Sequence, residues 1–220
     1  MGANDLDLLL PVCEIFASIQ GESTHAGELC TFVRTVGCNL RCNYCDTAYA
    51  YSGGTAMRLR DVLAEVARLE LPLVELTGGE PLLEPAAPAL MRLLCDRGYR
   101  VLCETNGSLD ISLCDPRVVR IMDLKTPSSG EAARNDLANL ARLRLQDELK
   151  LVIGERADYE WAKALLAEHA LAGRCTLLLA PMFGRLAPRE LAQWILDDKL
   201  AVRLQVQLHK LIWDPAARGV

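Results

Sequence analysis

The sequence predicts an α/β fold, an incomplete TIM-type βα barrel of about six parallel strands with a shortened set of helices. Two observations predict it. From residue 31 onward, short apolar segments alternate with segments of 3.6-residue periodicity, the pattern of repeated βα units in a parallel sheet. Between the apolar segments near Val101 and Ile121 there is little room for a full helix, so the barrel is expected to stay incomplete.

The individual elements follow from the same periodicity. Short apolar runs bounded by turn residues predict strands at residues 31–36, 73–76, 99–104, 118–125, 148–153 and 176–180, with a last extended segment at 202–208. Amphipathic stripes predict helices at residues 58–69, 83–97, 132–144, 157–170 and 188–199. Residues 31–220 then form one barrel domain, and residues 1–30 form an N-terminal extension that packs on it.

Chemically unusual loops follow the predicted strands. Five such loops, at residues 38–45, 77–81, 104–107, 123–130 and 180–184, begin where a predicted strand ends. In a βα barrel these strand ends share one face, and that face carries the active site. The sequence therefore predicts a single site built from loops that are distant along the chain.

Composition indicates a small-molecule enzyme of a reducing compartment. The 220 residues are 51% apolar with a net charge of −5 and no basic tract, which argues against nucleic-acid binding. No apolar run approaches the ~20 residues of a membrane helix. The first residues include Asp5 and Asp7 without a basic region, so no signal peptide is expected. Scattered cysteines outside residues 38–45 are expected to be reduced core residues, which favours the cytoplasm.

Three cysteines in one loop predict a metal site with an open position. Cys38, Cys42 and Cys45 have the spacing C-x3-C-x2-C. Structural zinc takes four protein ligands, and an ordinary cubane cluster takes a thiolate on each of four irons. Three thiolates therefore leave one metal position free for a small molecule. A non-catalytic iron or zinc module remains the alternative.

The cysteine spacing, with Tyr44 before the last cysteine, resembles the radical S-adenosylmethionine (SAM) superfamily. Further segments occur in the order found in the 7-carboxy-7-deazaguanine synthase family, which the chain resembles from about residue 12 to its C-terminus. They are QGE at 20–22, Arg34, CDT at 45–47, TGGEP at 77–81, ETNG at 104–107, KTPSSG at 125–130 and QLHK at 207–210. One such segment is weak support, but seven in order are strong.

The resemblance implies an activity and its cofactors. In that family a [4Fe-4S] cluster on three cysteines binds SAM, and a 5′-deoxyadenosyl radical abstracts hydrogen from C6 of 6-carboxy-5,6,7,8-tetrahydropterin. Ring contraction with loss of ammonia gives 7-carboxy-7-deazaguanine for queuosine and related deazapurines, and SAM is regenerated. The resemblance also implies Mg2+, an external one-electron reductant such as flavodoxin or ferredoxin, and a homodimer. A glycyl-radical-enzyme activase shares the cysteine spacing but lacks the QGE and QLHK segments.

The resemblance implies a role for each residue of this chain that matches a functional position of the family's segments. The cluster ligands would be Cys38, Cys42 and Cys45, with Thr47 on Mg2+. The implied SAM contacts are Tyr44, Cys45, Asp46, Gly79, Asp123, Leu124, Lys125, Ala180, Pro181, Met182 and Phe183. The implied substrate contacts are Ile19, Gln20, Gly21, Glu22, Arg34, Thr77, His209 and the terminal residue Val220. The GGEP segment is expected to hold the amino group of SAM, with Glu80 able to pair with an ammonium group.

Overall fold

The computed structural model describes residues 5–220, in which nine strands form one open sheet. The strands are β1 (Leu9–Ile19), β2 (Leu29–Thr35), β3 (Thr55–Arg58), β4 (Leu73–Gly78), β5 (Arg100–Thr105), β6 (Val119–Asp123), β7 (Glu148–Ile153), β8 (Thr176–Pro181) and β9 (Arg203–Leu204). Their order is β3-β1-β2-β4-β5-β6-β7-β8-β9. From β2 through β4 to β9 all neighbours are parallel, whereas β1 runs antiparallel to β2 and β3. The predicted partial barrel is confirmed.

The helices cover the outer face of this sheet. They are α1 (Leu59–Arg68), α2 (Ala87–Asp96), α3 (Asn139–Arg142), α4 (Arg156–Glu168), α5 (Pro188–Asp198) and α6 (His209–Ile212). The apolar stripes of α1, α2, α4 and α5 join one core with alternate residues of the strands. Between β5 and β6 the described chain has only a 3-10 turn, Ile111–Leu113, which agrees with the expected gap in the helical layer.

The inner face of the sheet changes from apolar to polar along the strands. Phe32, Leu73, Leu102 and Ile121 form a small apolar cluster at the start of their strands. Two residues further along each strand the same face carries a charge, because side chains alternate with a period of two. These charged positions are Arg34, Glu75, Glu104 and Asp123. The barrel interior therefore has an apolar floor below a charged layer.

Several predicted elements differ from those observed. The predicted helix at residues 132–144 is wrong: a 3-10 turn, Ala132–Arg134, and the four-residue α3 replace it. Polar side chains bind loop backbone there, since Asn135 bonds both backbone groups of Lys125 and Asn139 donates to Gly107 O and Leu109 O. The extended segment at 202–208 shortens to β9, and α2 begins at Ala87, four residues after the predicted start.

The N-terminal segment belongs to the sheet itself. β1 pairs with β2 from Val12 to Ile19, so much of the predicted extension forms part of the barrel wall. Residues 1–4 of that extension lie outside the described residues. Over residues 5–220, no helix combines the length and apolar character that crossing a membrane requires.

A buried ion cluster joins β6, α3 and β7. Asp147 is fully buried, and its carboxylate accepts hydrogen bonds from the side chains of Arg120 and Arg144. Burial alone would raise the pKa of Asp147, but the hydrogen bonds from Arg144 and Arg120 hold it below its ordinary value. The ionised carboxylate therefore stabilises the folded state.

Asp147→Asn should lower the free energy of unfolding by about 3 kcal/mol at neutral pH, because two guanidinium groups lose their anion. A folded pKa below the unfolded value gives stability that is present above about pH 4 and is lost as pH falls through the folded pKa. In urea unfolding, the difference in free energy of unfolding between Asp147→Asn and wild type should therefore become smaller at acidic pH. Asp96→Asn, at the surface partner of Arg117, is the control and should change stability by less than about 1 kcal/mol. An Asp147→Asn deficit that is independent of pH would contradict the assignment.

Candidate active site

One cavity of about 470 Å³ lies at the C-terminal ends of the strands. All five loops singled out in the sequence contribute residues to it. The predicted site residues that line it are Ile19, Gln20, Gly21, Glu22, Arg34, Cys38, Cys42, Tyr44, Cys45, Asp46, Thr47, Thr77, Gly79, Asp123, Lys125, Ala180, Pro181, Met182, Phe183, His209 and Val220. Leu124 is the exception, because its side chain is fully buried in the core shared by sheet and helices.

The three predicted metal ligands are half-buried thiols on the cavity wall. Cys38 Sγ accepts hydrogen bonds from Leu40 N, at 3.4 Å, and Asn106 Nδ2, at 3.8 Å. Burial raises the pKa of Cys38 and raises that of Cys42 to about 11, so metal binding would displace protons from both. Across residues 5–220, no three His, Cys, Asp or Glu side chains are grouped to hold a single ion. A [4Fe-4S] cluster takes each thiolate on a different iron, and three thiols on one loop suit this arrangement.

Gly79 allows the strand end of β4 to lie directly under the cysteine loop. A Cβ at this position would lie 2.1 Å from Gly37 O and 2.7 Å from Cys38 Cβ. The contact is held by a backbone hydrogen bond of 2.8 Å from Glu80 N to Gly37 O. Only glycine permits this approach, so the segment TGGEP fixes the position of the first cysteine.

Glu80 has a structural role in place of the expected ammonium contact. Its carboxylate is fully buried and does not line the cavity. It accepts hydrogen bonds from Leu82 N, Thr105 Oγ1 and Asn106 N, which joins the ends of β4 and β5. Contacts to the amino group of a bound ligand would therefore come from the backbone of this segment.

Arg34 is held on one side and free on the other. Glu14 Oε1 accepts from Arg34 Nε at 2.7 Å, and the Tyr49 hydroxyl donates to the same oxygen at 2.8 Å. The guanidinium also lies over the rings of Phe16 and Tyr49, 5.9 Å from each centroid. The terminal nitrogens of the fork form no hydrogen bond with the described residues, and Arg34 lines the cavity. This is the geometry of a bidentate carboxylate receptor.

Gln20 and Glu75 form a buried polar pair at the cavity wall. Gln20 Nε2 donates to Glu75, and Gln20 Oε1 accepts from Glu22 N. Desolvation by burial, strengthened by the nearby Glu104 carboxylate, raises the pKa of Glu75 to about 8. Glu75 is therefore mostly protonated at neutral pH and is a hydrogen-bond donor as well as an acceptor.

The C-terminal tail folds back over the cavity. Gly21 O accepts from Leu208 N at 2.8 Å, and a Cβ on Gly21 would lie 2.3 Å from His209 Nδ1. Lys210 Nζ lies 2.6 Å from Asp46 Oδ2; burial would raise the pKa of Asp46, but Lys210 lowers it to about 2. Further along, the tail brings Val220 to the cavity wall. Both predicted C-terminal contacts thus reach the same space as the cysteines.

Four lining residues of the charged layer or its rim were assigned no individual role from the sequence: Tyr49, Glu75, Glu104 and Lys150. The last three interrupt otherwise apolar strands, LVELT, VLCET and ELKLVI. Burying a charge is costly unless it has partners, so such positions indicate a polar interior. That signal was available in the sequence.

Comparisons with known proteins agree with this geometry. Residues 32–124 match the radical SAM superfamily. The chain is 49% identical over 215 residues to the 7-carboxy-7-deazaguanine synthase of Chlorobaculum tepidum, covering 96% of this chain and 97% of that protein. The chain belongs to the 7-carboxy-7-deazaguanine synthase family. A second member, from Koribacter versatilis, is 41% identical over 227 residues, covering 96% of this chain and the whole of that protein.

The family fold is also known from a solved structure. QueE from Escherichia coli superimposes with a TM-score of 0.73 at 22% identity, covering 95% of this chain and all of that one. Membership of this radical SAM family implies a [4Fe-4S] cluster and SAM as cofactors. The residues present fit both groups: three half-buried thiols face the cavity, Gly79 presents bare backbone beside them, and the buried Tyr44 hydroxyl has no hydrogen-bond partner among the described residues.

Proposed function

We propose that this chain converts 6-carboxy-5,6,7,8-tetrahydropterin to 7-carboxy-7-deazaguanine with loss of ammonia, as a radical SAM carbon-nitrogen lyase of deazapurine biosynthesis. The observation that carries the proposal is one cavity lined by two sets of groups. Three thiols form one set, and the Arg34 carboxylate receptor with several hydrogen-bonding carboxyl groups forms the other. Its near relatives carry the name of this synthase.

When bound, the reduced cluster and SAM supply a radical that removes a hydrogen atom from the substrate. The chain's own residues bind and orient the substrate. The free side of the Arg34 fork suits the carboxylate of the pterin. Glu75 and Glu104 suit its ring edge, which has both donors and acceptors. The C-terminal tail, ending at Val220, reduces solvent access above the site.

Partners and location are part of the same proposal. An external one-electron reductant, flavodoxin or ferredoxin, would supply electrons to the cluster, and the enzyme would act in the cytoplasm. A homodimer is proposed because strands β1, β2 and β9 expose apolar side chains at their ends, among them Leu9, Leu29 and Leu204.

An anaerobic reaction followed by mass spectrometry tests the function. Reconstituted enzyme, SAM, reductant and 6-carboxytetrahydropterin should give the ring-contracted acid, with the amount of SAM unchanged over many turnovers. Consumption of SAM without a pterin-derived product would contradict the proposal and favour a different radical SAM reaction.

Thr47 is proposed as the protein ligand of Mg2+. Its hydroxyl lines the cavity and donates to Asp46 Oδ1 at 3.0 Å, so two hard oxygen atoms lie side by side. Thr47→Val should leave the cluster intact but raise the Mg2+ concentration needed for half-maximal turnover about tenfold. Turnover assays measure this, and EPR with Mn2+ as a substitute measures metal binding directly. Thr55→Val, an exposed strand position, is the control and should respond like wild type. An unchanged Mg2+ dependence in Thr47→Val would remove the assignment.

A further inference from the structure

Lys150 occupies the middle of the charged layer. It lies on β7 with its side chain only 5% exposed. Its ammonium group lies 2.7 Å from Glu22 Oε2, 2.5 Å from Glu104 Oε1 and 3.1 Å from Asp123 Oδ2. An ammonium group has three N–H donors, and each of them has one carboxylate partner here. The three partners come from three separate parts of the barrel wall.

The charges around this ammonium do not balance without it. Lys125 lies 3.1 Å from Asp123 and compensates one of the three carboxylates, which leaves Glu22 and Glu104 dependent on Lys150. Other titratable or charged groups that face this region from neighbouring elements are Arg34, Tyr44, Asp46 and Glu75. Because these side chains are largely removed from solvent, loss of Lys150 would leave adjacent carboxylates uncompensated.

Glu22 and Glu104 differ in how many of their carboxylate lone pairs remain free to bind a ligand. Glu22 also accepts hydrogen bonds from Gln205 and Gln207, at 2.9 Å each, so Lys150 completes a fixed network around it. Glu104 is 28% exposed, and its Oε2 has only a 3.4 Å contact from Thr77 Oγ1. One carboxylate is thus held on several sides, and the other has lone pairs directed at the cavity.

We propose that Lys150 is a positioning residue for the substrate: its ion pairs hold the Glu22 and Glu104 carboxylates in place so that Glu104 accepts hydrogen bonds from ring N–H donors. The inference rests on the proposed function and adds how the ring edge is recognised. A carboxylate facing N–H donors makes charge-assisted hydrogen bonds, which are about twice as strong as neutral ones.

A pH effect separates this role from a purely structural ion cluster. Burial would raise the pKa of Glu22, but Lys150 and the hydrogen bond from Gln207 lower it. Without the ammonium the pKa of Glu22 rises, so the carboxylate is lost at the acidic end of the working range and returns as pH increases. A structural defect would weaken substrate binding equally at every pH.

The experiment measures substrate binding to cluster-loaded enzyme with SAM and no reductant, by anaerobic calorimetry. Lys150→Gln should raise the Kd for 6-carboxytetrahydropterin about 10- to 100-fold, with cluster content unchanged. The Kd of Lys150→Gln divided by the Kd of wild type should become smaller as pH rises from about 6 to 8. The ratio is compared at each pH because Glu75 titrates in both proteins. Lys150→Arg, which keeps the charge, should recover most of the affinity.

Lys163→Gln is the matched control, since this surface lysine also pairs with two carboxylates, Glu160 and Asp198, and should leave the Kd unchanged. If Lys150→Gln does not fold, Glu104→Gln serves instead and should weaken the Kd at least tenfold, about the value of one charge-assisted hydrogen bond. Unchanged affinity in either variant, or a loss independent of pH in Lys150→Gln, would overturn the inference. Failure of wild type to bind the pterin would instead refute the proposed function.

Discussion

Cys42→Ala will contain no [4Fe-4S] cluster after anaerobic reconstitution and will form no detectable product. The cluster has three protein ligands here, and a second open iron would leave it without enough thiolates to persist. Cys42 lies in the middle of the motif, in a loop held by backbone hydrogen bonds from Glu80 N to Gly37 O and from Asn43 N to Ser129 O. Iron and sulfide content and the visible absorption spectrum measure the loss.

Cys95→Ala is the matched control for that experiment. Cys95 is also partly exposed, but it lies near the end of α2, outside the cavity. It should assemble the cluster and turn over like wild type. Cluster retention with normal turnover in Cys42→Ala would show that the three cysteines are not the ligand set.

Arg34→Met should lower kcat/KM for the carboxylated pterin by about 30- to 5,000-fold. This range corresponds to about 2–5 kcal/mol for removing one partner of a buried, hydrogen-bonded charge pair. Methionine keeps much of the aliphatic contact with Phe16 while removing the fork. Steady-state kinetics and direct binding of the substrate measure the effect.

A smaller change at Glu14 tests the same receptor. Glu14→Gln leaves the Arg34 charge in place but removes the carboxylate that holds Nε, so KM should rise by about tenfold with little change in kcat. Both variants should keep the cluster. A normal KM in Arg34→Met would show that the substrate carboxylate binds elsewhere.

The parts of the site that the sequence predicts are contiguous segments. The cysteine loop, the TGGEP turn and the C-terminal QLHK each occupy a few consecutive residues, and strand ends share a face once the βα order is known. The partial barrel follows for the same reason, since amphipathic helices and apolar strands differ in period. The strand-end positions were enough to place Cys38 and Gly79 near one another, and the family resemblance of QLHK added His209.

Other parts depend on contacts between distant residues. Glu80 does not face the cavity as expected, because its carboxylate accepts hydrogen bonds from Leu82 N, Thr105 Oγ1 and Asn106 N, contacts that no local pattern indicates. The helix predicted at residues 132–144 fails because Asn135 and Asn139 bond loop backbone groups. Lys150 has no motif around it, and its role emerges only when three elements bring carboxylates to one point.

The position of the C-terminal tail could not be predicted from the sequence either. Ten residues lie between His209 and Val220, and nothing in their composition indicates where they go. Arg218 lies over the Tyr49 ring at 4.1 Å from its centroid, which ties the tail to the ring that packs on Arg34. The tail therefore belongs to the substrate site through packing and not through a sequence motif.

The most direct test of the three-cysteine site is EPR and ENDOR spectroscopy of the reduced enzyme, prepared without oxygen, before and after addition of labelled SAM. SAM should shift the spectrum of a [4Fe-4S] cluster and show coupling from its amino nitrogen, because one iron has no protein ligand. A spectrum that SAM leaves unchanged, with four protein donors on the cluster, would contradict the site and the function proposed from it.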